Sequence, residues 1–442
     1  MEILIQILQF FMSLTLLVAV HEFGHFIVAR LFKIRVEKFY IFFDWGFSLW
    51  KKKWRGTEYG LGWLPLGGYC KIAGMVDESM DKEQLASEPQ PWEYRSKPAW
   101  QRFLVLVAGV TMNAILAFFI FSGICFSYGT EHVSTDEVEH GFWFSDNAKQ
   151  LGFQDGDHIL SIDGEQITDV KKIGKKVIFA DGDCEIKVLR DGSEHAFTLD
   201  NDVLNSLRNQ EGAFKDMYAP LKPFIVDSVV SPTLAEKLQK DDHIIGVGDE
   251  RFAYLNYWPE SLDSFKDSLN NVELSVVRGT ADTLKISVPL NEEGGLDIVN
   301  KPFAKGYIKE YGFFEAFAGG AALTSEQISD YWRTLTLVVN PKTNFYKQVG
   351  GFVAIGNAFP DEWNWYGFWH MTAILSIILA VMNIIPIPGL DGGHMLFTFW
   401  EMVTRRKVSE KVLTIAQYIG MGLILLLLLF ANGNDIFRLF SN

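Results

Sequence analysis

Four long runs without charge constrain this chain of 442 residues more than any other feature. Residues 3–20 (ILIQILQFFMSLTLLVAV) hold no Asp, Glu, Lys or Arg, and after one polar cluster the apolar pattern resumes as FIVARLF. Runs at 103–128, 366–390 and 413–431 follow, the third ending in Pro386 and Pro388. Each is long enough to cross a hydrocarbon layer of ~30 Å. The expected fold is a polytopic α-helical membrane protein with about four transmembrane helices. A signal peptide is the other reading of the first run, but only Glu2 precedes it and no small-x-small cleavage site follows.

Composition adds soluble modules to those spans. A hydrophobic fraction of 48% with 14% aromatic residues excludes disorder, while 21% charged residues is high for spans alone. Residues 131–310 hold 34 Asp/Glu against 19 Lys/Arg, or −15, so the remainder carries +1 of the total −14. An acidic chain with no basic stripe argues against nucleic acid as a partner. Cys70, Cys125 and Cys184 are too few and scattered for a disulfide framework.

Lys and Arg near span ends set orientation. Arg30, Lys33, Arg35, Lys38, Lys51, Lys52, Lys53 and Arg55 follow the first span, Lys97 and Arg102 precede the second, and Arg405, Arg406, Lys407 and Lys411 precede the fourth. Those segments are expected in the cytoplasm, with the acidic block and both termini on the extracytoplasmic, periplasmic face.

The parse follows from the spans: 1–32 first span; 33–98 cytoplasmic loop; 99–129 second span; 130–215 and 216–310 two β-rich modules; 311–362 an amphiphilic interfacial segment; 363–390 third span; 391–412 a short half-helix and loop; 413–432 fourth span; 433–442 an extracytoplasmic tail. Within the first loop, YGLGWLPLGGYCKIAG (59–74) alternates apolar and small residues around Gly67 and Gly68, which reads as a membrane-associated β-hairpin lining a cavity, or as an ordinary cytoplasmic hairpin. Segment 311–360 is too interrupted for a span and reads as a helix at the interface, a fifth span being the alternative. The acidic block repeats itself: AKQLGFQDGDHILSIDG (148–164) and AEKLQKDDHIIGVGD (235–249) each lead a short helix through a turn into a strand. Both resemble bacterial, circularly permuted PDZ domains, the first copy more closely.

His21-Glu22-Phe23-Gly24-His25 closes the first apolar run as HExxH. On a helix the two imidazoles stand ~40° apart and face one metal, while Glu22 lies one step round where it can hold a water. Charged groups inside a bilayer cost roughly 2.5–3.5 kcal/mol each at helix centre, so such a cluster calls for a metal or a partner. Catalytic zinc takes three protein ligands and an open position. The third is expected from Asp391 of LDGGH (390–394), beside the two prolines that break the third span; His394 is its competitor.

HEFGH in the first span, N-x-x-P-x-P-x-L-D-G-G from Asn383, a Gly-Gly hairpin between them and PDZ-like repeats after the second span resemble, in order along nearly the whole chain, the site-two protease family of intramembrane zinc metalloproteases, most closely its bacterial RseP-type members with tandem PDZ domains. The resemblance implies one Zn²⁺ per chain, a bacterial cytoplasmic (inner) membrane, and cleavage of single-pass membrane proteins: anti-sigma factors already trimmed outside, or signal-peptide remnants. It also implies that Asn383 and the hairpin residues Gly67, Gly68 and Tyr69 hold the substrate as an extended strand. His21, His25 and Asp391 would hold the metal, with Glu22 as general base and then acid. A catalytically inactive scaffold with peptide-binding PDZ modules and a divalent-metal transporter are the rival classes; a scaffold has no need of Glu22 beside the His pair.

Overall fold

A computed structural model describes residues 2–64, 67–75, 88–180, 184–208, 210, 213–214, 216–258, 271–279, 282–291, 295–302 and 306–441. Four of its helices are long and apolar enough to cross a membrane: α1 (Glu2–Leu31), α2 (Ala99–Tyr128), α4 (Trp365–Ile384) and, over Lys411–Phe437, α6 (Glu410–Ser441). With the β-rich segments described below, they make the chain a polytopic membrane protein.

The chain divides into two compact units, the first comprising residues 1–130, 310–340 and 345–442. Its hub is α2, against which pack α1, α3 (Phe313–Val339), α4 and α5 (Asp391–Thr404). One face of α2 buries Ala117, Phe121 and Ile124 against Ala373, Ile377 and Val381 of α4, with Leu323 and Leu335 of α3 closing the cluster. Spaced at three to four residues, these side chains form the apolar stripe that a helix buries. Segment 311–360 therefore holds one long helix, α3, which with Glu315, Glu326, Asp330 and Arg333 is not among the helices apolar enough to span. At the other end, α4 stops at Ile384 because Pro386 and Pro388 cannot continue it. The third apolar run is thus a helix plus the loop 385–390, and α5 begins at Asp391.

Between α1 and α2 lies a four-stranded sheet of β1 (Val36–Ile41), β2 (Phe43–Trp54), β3 (Thr57–Leu64) and β4 (Tyr69–Ile72), in the order β2-β3-β1-β4. This corrects the expected hairpin at 59–74. The strands there do not pair with each other: β3 runs parallel to β1 with Phe39 opposite Tyr59, and β4 runs antiparallel to β1 with Phe39 opposite Cys70. The hairpin is β2–β3, turning at Arg55 and Gly56. VEKFYI (36–41), read as part of a basic flank, inserts between the two strands because its alternating Val36 and Tyr40 side chains are buried. Residues 65 and 66 of the expected hairpin lie outside the described residues. In this order β4 stands at one end of the sheet among the described residues.

The second unit, residues 131–309 with 341–344, has two separate cores. Strands Ser193–Thr198, Glu185–Arg190, His158–Ile162 and Glu165–Gln166 form one sheet, in that order. Strands Glu250–Arg251, His243–Val247, Asn271–Arg278 and Asp282–Pro289 form the other. The internal repeat is structural. Fully buried Asp157 takes two hydrogen bonds from Arg190 at 2.6 and 2.8 Å, and fully buried Asp242, at the equivalent place, takes two from Arg278 at 2.7 and 2.6 Å. Each fork ties the turn before one strand to the end of the next, and a buried carboxylate is tolerated because both oxygens are matched. All three cysteines are free thiols.

Candidate functional site

The first unit contains a cavity of about 650 Å³ lined by His21, Glu22 and His25 of α1, by Gly67 and Gly68, by Tyr69 to Ile72 of β4, by Asn383 of α4 and by Asp391 and His394 of α5. Every residue singled out in the sequence for chemistry or substrate contact thus faces one space.

His21 and His25 are buried, one helical turn apart, with ring centroids separated by 4.8 Å. Their Nε2 atoms lie 3.2 Å apart, and Asp391 Oδ2 lies 3.1 Å from the first and 3.2 Å from the second. Asp391 reaches them because the proline-broken loop ends α4 early and starts α5 at the level of the HExxH turn. Three ligand atoms at the corners of so small a triangle, one of them a buried carboxylate oxygen, could hold a cation between them. Tetrahedral zinc with ligands at ~2.0–2.2 Å puts its donors roughly 3.3–3.5 Å apart, so the residues fit that ion.

The ring orientations have causes further out. His25 Nδ1 donates to the Val105 carbonyl of α2 at 2.8 Å, which leaves its Nε2 as the lone-pair atom aimed at Asp391. That bond requires α1 and α2 to touch. A Cβ on Gly109 would lie 2.5 Å from His25 Nε2, and one on Gly24 would lie 2.5 Å from the Ala108 carbonyl, so glycine on both helices permits the approach. Asn113, also on α2, brings its side-chain amide to 3.4 Å from His21 Nδ1. Val105, Gly109 and Asn113 carry no local motif, and only the tertiary pairing of α1 with α2 reveals them.

His394 does not join the ligand cluster. Its Nε2 donates to Gln417 Oε1 of α6 at 3.0 Å, one turn beyond Asp391. At the opposite wall, Tyr69 stacks on Tyr40, with ring planes 9° apart, and its hydroxyl donates to Asp44 Oδ1 at 2.9 Å. Burial first, then the Asp44 carboxylate, pushes the Tyr69 phenol far up, so it remains a donor. Asp44 is a further residue that sequence reasoning missed. Its signal was present, since a lone carboxylate in IFFDWGFSLW is as costly near a membrane as Asp391 is.

Residues 9–427 match Peptidase family M50. The chain is 29% identical to the "Regulator of sigma E protease" of Haemophilus influenzae, over 98% of each chain. It is also 29% identical to the protein of that name in Salmonella typhi, over 99% of this chain and all of the relative. A Vibrio cholerae protein named "Putative zinc metalloprotease" is 28% identical over 99% of this chain and all of its own length. With the family matched over nearly the whole chain, and with membrane helices around a cavity bearing a two-histidine, one-carboxylate cluster, this chain belongs to peptidase family M50 and is an intramembrane zinc metalloprotease.

Proposed function

We propose that this protease binds one zinc ion through His21, His25 and Asp391 and cuts single-pass membrane proteins in or near their transmembrane segments. The observation that carries this reading is the single cavity joining the triad, Glu22, Asn383 and the edge strand β4. Bound zinc supplies Lewis acidity at the scissile carbonyl. Glu22 takes the proton of the attacking water as its oxygen adds to the carbonyl carbon, and returns that proton to the nitrogen as the C–N bond breaks. A helical substrate hides its carbonyls in its own hydrogen bonds and must unwind first. The edge strand β4, Tyr69–Ile72, lines the cavity where strand addition would offer replacement bonds. Gly67 and Gly68 lead into that strand, and Asn383 lines the same cavity, where its amide would bind a freed backbone group.

The relatives' name, with the chain's basic loops and acidic block, supports a bacterial inner-membrane enzyme whose termini and PDZ-like modules are periplasmic and whose substrate is an anti-sigma factor already trimmed on that side, or a signal-peptide remnant. Reconstitution in vesicles with a single-pass protein bearing a short extracytoplasmic stub tests the reading. Mass spectrometry should place the cut inside or at the edge of the apolar segment, with full inhibition by a zinc chelator. Cleavage confined to soluble peptides would contradict it.

A further inference from the structure

Asn113 is fully buried on α2 beside His21. Its carbonyl accepts from Ser376 Oγ at 2.8 Å, which anchors the backbone, while its side chain faces the ligand cluster. The amide nitrogen lies 3.4 Å from His21 Nδ1, and Oδ1 is buried without a hydrogen-bond partner among the described residues. A neutral imidazole carries one proton. An amide N–H facing Nδ1 takes the lone pair there and leaves the proton on Nε2, the atom 3.1 Å from Asp391 Oδ2. That tautomer cannot ligate a metal through Nε2. Ligation needs the proton on Nδ1, and a buried Nδ1–H needs an acceptor. His25 has one in the Val105 carbonyl; for His21 the Asn113 amide is the partner at Nδ1.

We propose that Asn113 is a positioning residue for the zinc ligand His21. Its side-chain amide, 3.4 Å from Nδ1, is placed so that Oδ1 can accept the Nδ1 proton and fix Nε2 as a lone-pair donor. The oxygen and nitrogen of an amide occupy nearly the same volume, so this fully buried side chain can present Oδ1 to Nδ1 without repacking. The proposal rests on the reading that His21 is a ligand.

Zinc affinity of the purified full-length protein, measured by competition with a chromogenic chelator, tests it together with thermal unfolding of the zinc-stripped form. Asn113→Leu, of similar volume without an acceptor, should bind zinc about 10- to 100-fold more weakly, the usual effect of removing a group behind a ligand. Asn113→Asp keeps the acceptor and drops the donor, and should bind within about threefold of the unaltered protein or more tightly. Zinc affinity of Asn113→Leu within about threefold of the parent would overturn the proposal. So would a tenfold loss in Asn113→Asp, which would show that the donor matters, and this arm decides the matter if Asn113→Leu does not fold. His21→Ala separates the two levels. If it loses zinc while Asn113→Leu does not, only the role of Asn113 falls; if His21→Ala retains zinc, the ligand assignment falls and the proposal with it.

Discussion

Gly420 of α6 is seated directly on the carbonyl of Pro388, so closely that any Cβ at position 420 would collide with it. The contact sets where the loop 385–390 lies, and that loop delivers Asp391 to the two histidines. Gly420→Ala should therefore push α6 and the loop apart. Overpacking of this kind typically costs about 1–3 kcal/mol, and the carboxylate need move only slightly to spoil a triangle with edges near 3.2 Å. Lower thermal stability together with a loss of cleavage is expected. A substitution that lowers neither would show that the α6 contact does not hold the loop.

The native thiols are poor reporters of topology, because Cys184 is buried in its module and Cys70 is half-buried in β4. Exposed Lys53 and Asp191 are better positions. With a membrane-impermeant maleimide on intact cells, Asp191→Cys should react without permeabilisation and Lys53→Cys only after it. Reaction of both from the same side would overturn the four-span orientation.

The two modules lie in the chain between the second and third spans, and a compact pair of about 180 residues has a radius of gyration of roughly 16 Å. Bulk of that size, tethered through the second and third spans, is expected to exclude substrates with folded extracytoplasmic domains. Replacing residues 140–300 with a short flexible linker is expected to let the enzyme cut an untrimmed substrate that the full-length protein leaves intact. If the shortened protein still binds zinc and cuts the trimmed stub but refuses the untrimmed substrate, selectivity resides in the membrane region.

How much of this was legible in the sequence follows from the range of each interaction. The four spans are long, local and compositional, and they emerged at the expected places. HExxH is a local spacing, and Asp391 was identified because an unpaired carboxylate beside two prolines is costly in a membrane. The sheet order was not legible. VEKFYI is short and half-charged, and its place between β3 and β4 depends on buried Val36 and Tyr40 finding partners far along the chain. The supports behind the ligands were hidden for the same reason. The Val105 carbonyl and the Asn113 amide matter only once Gly24 and Gly109 bring α1 against α2. In the second unit the repeated DHI was legible as a motif, but the Arg190 and Arg278 forks that bind Asp157 and Asp242 were not.

The central claim is that Glu22 moves protons while His21, His25 and Asp391 hold the metal. Zinc content and cleavage of a trimmed single-pass substrate, measured on the same preparations of the unaltered protein, Glu22→Gln and His25→Ala, test it most directly. Glu22→Gln is expected to keep about one zinc per chain and lose cleavage by at least ~10²-fold, within the usual range for a general acid–base, whereas His25→Ala is expected to lose both. Cleavage by Glu22→Gln at the unaltered rate, or a full zinc complement in His25→Ala, would contradict the account.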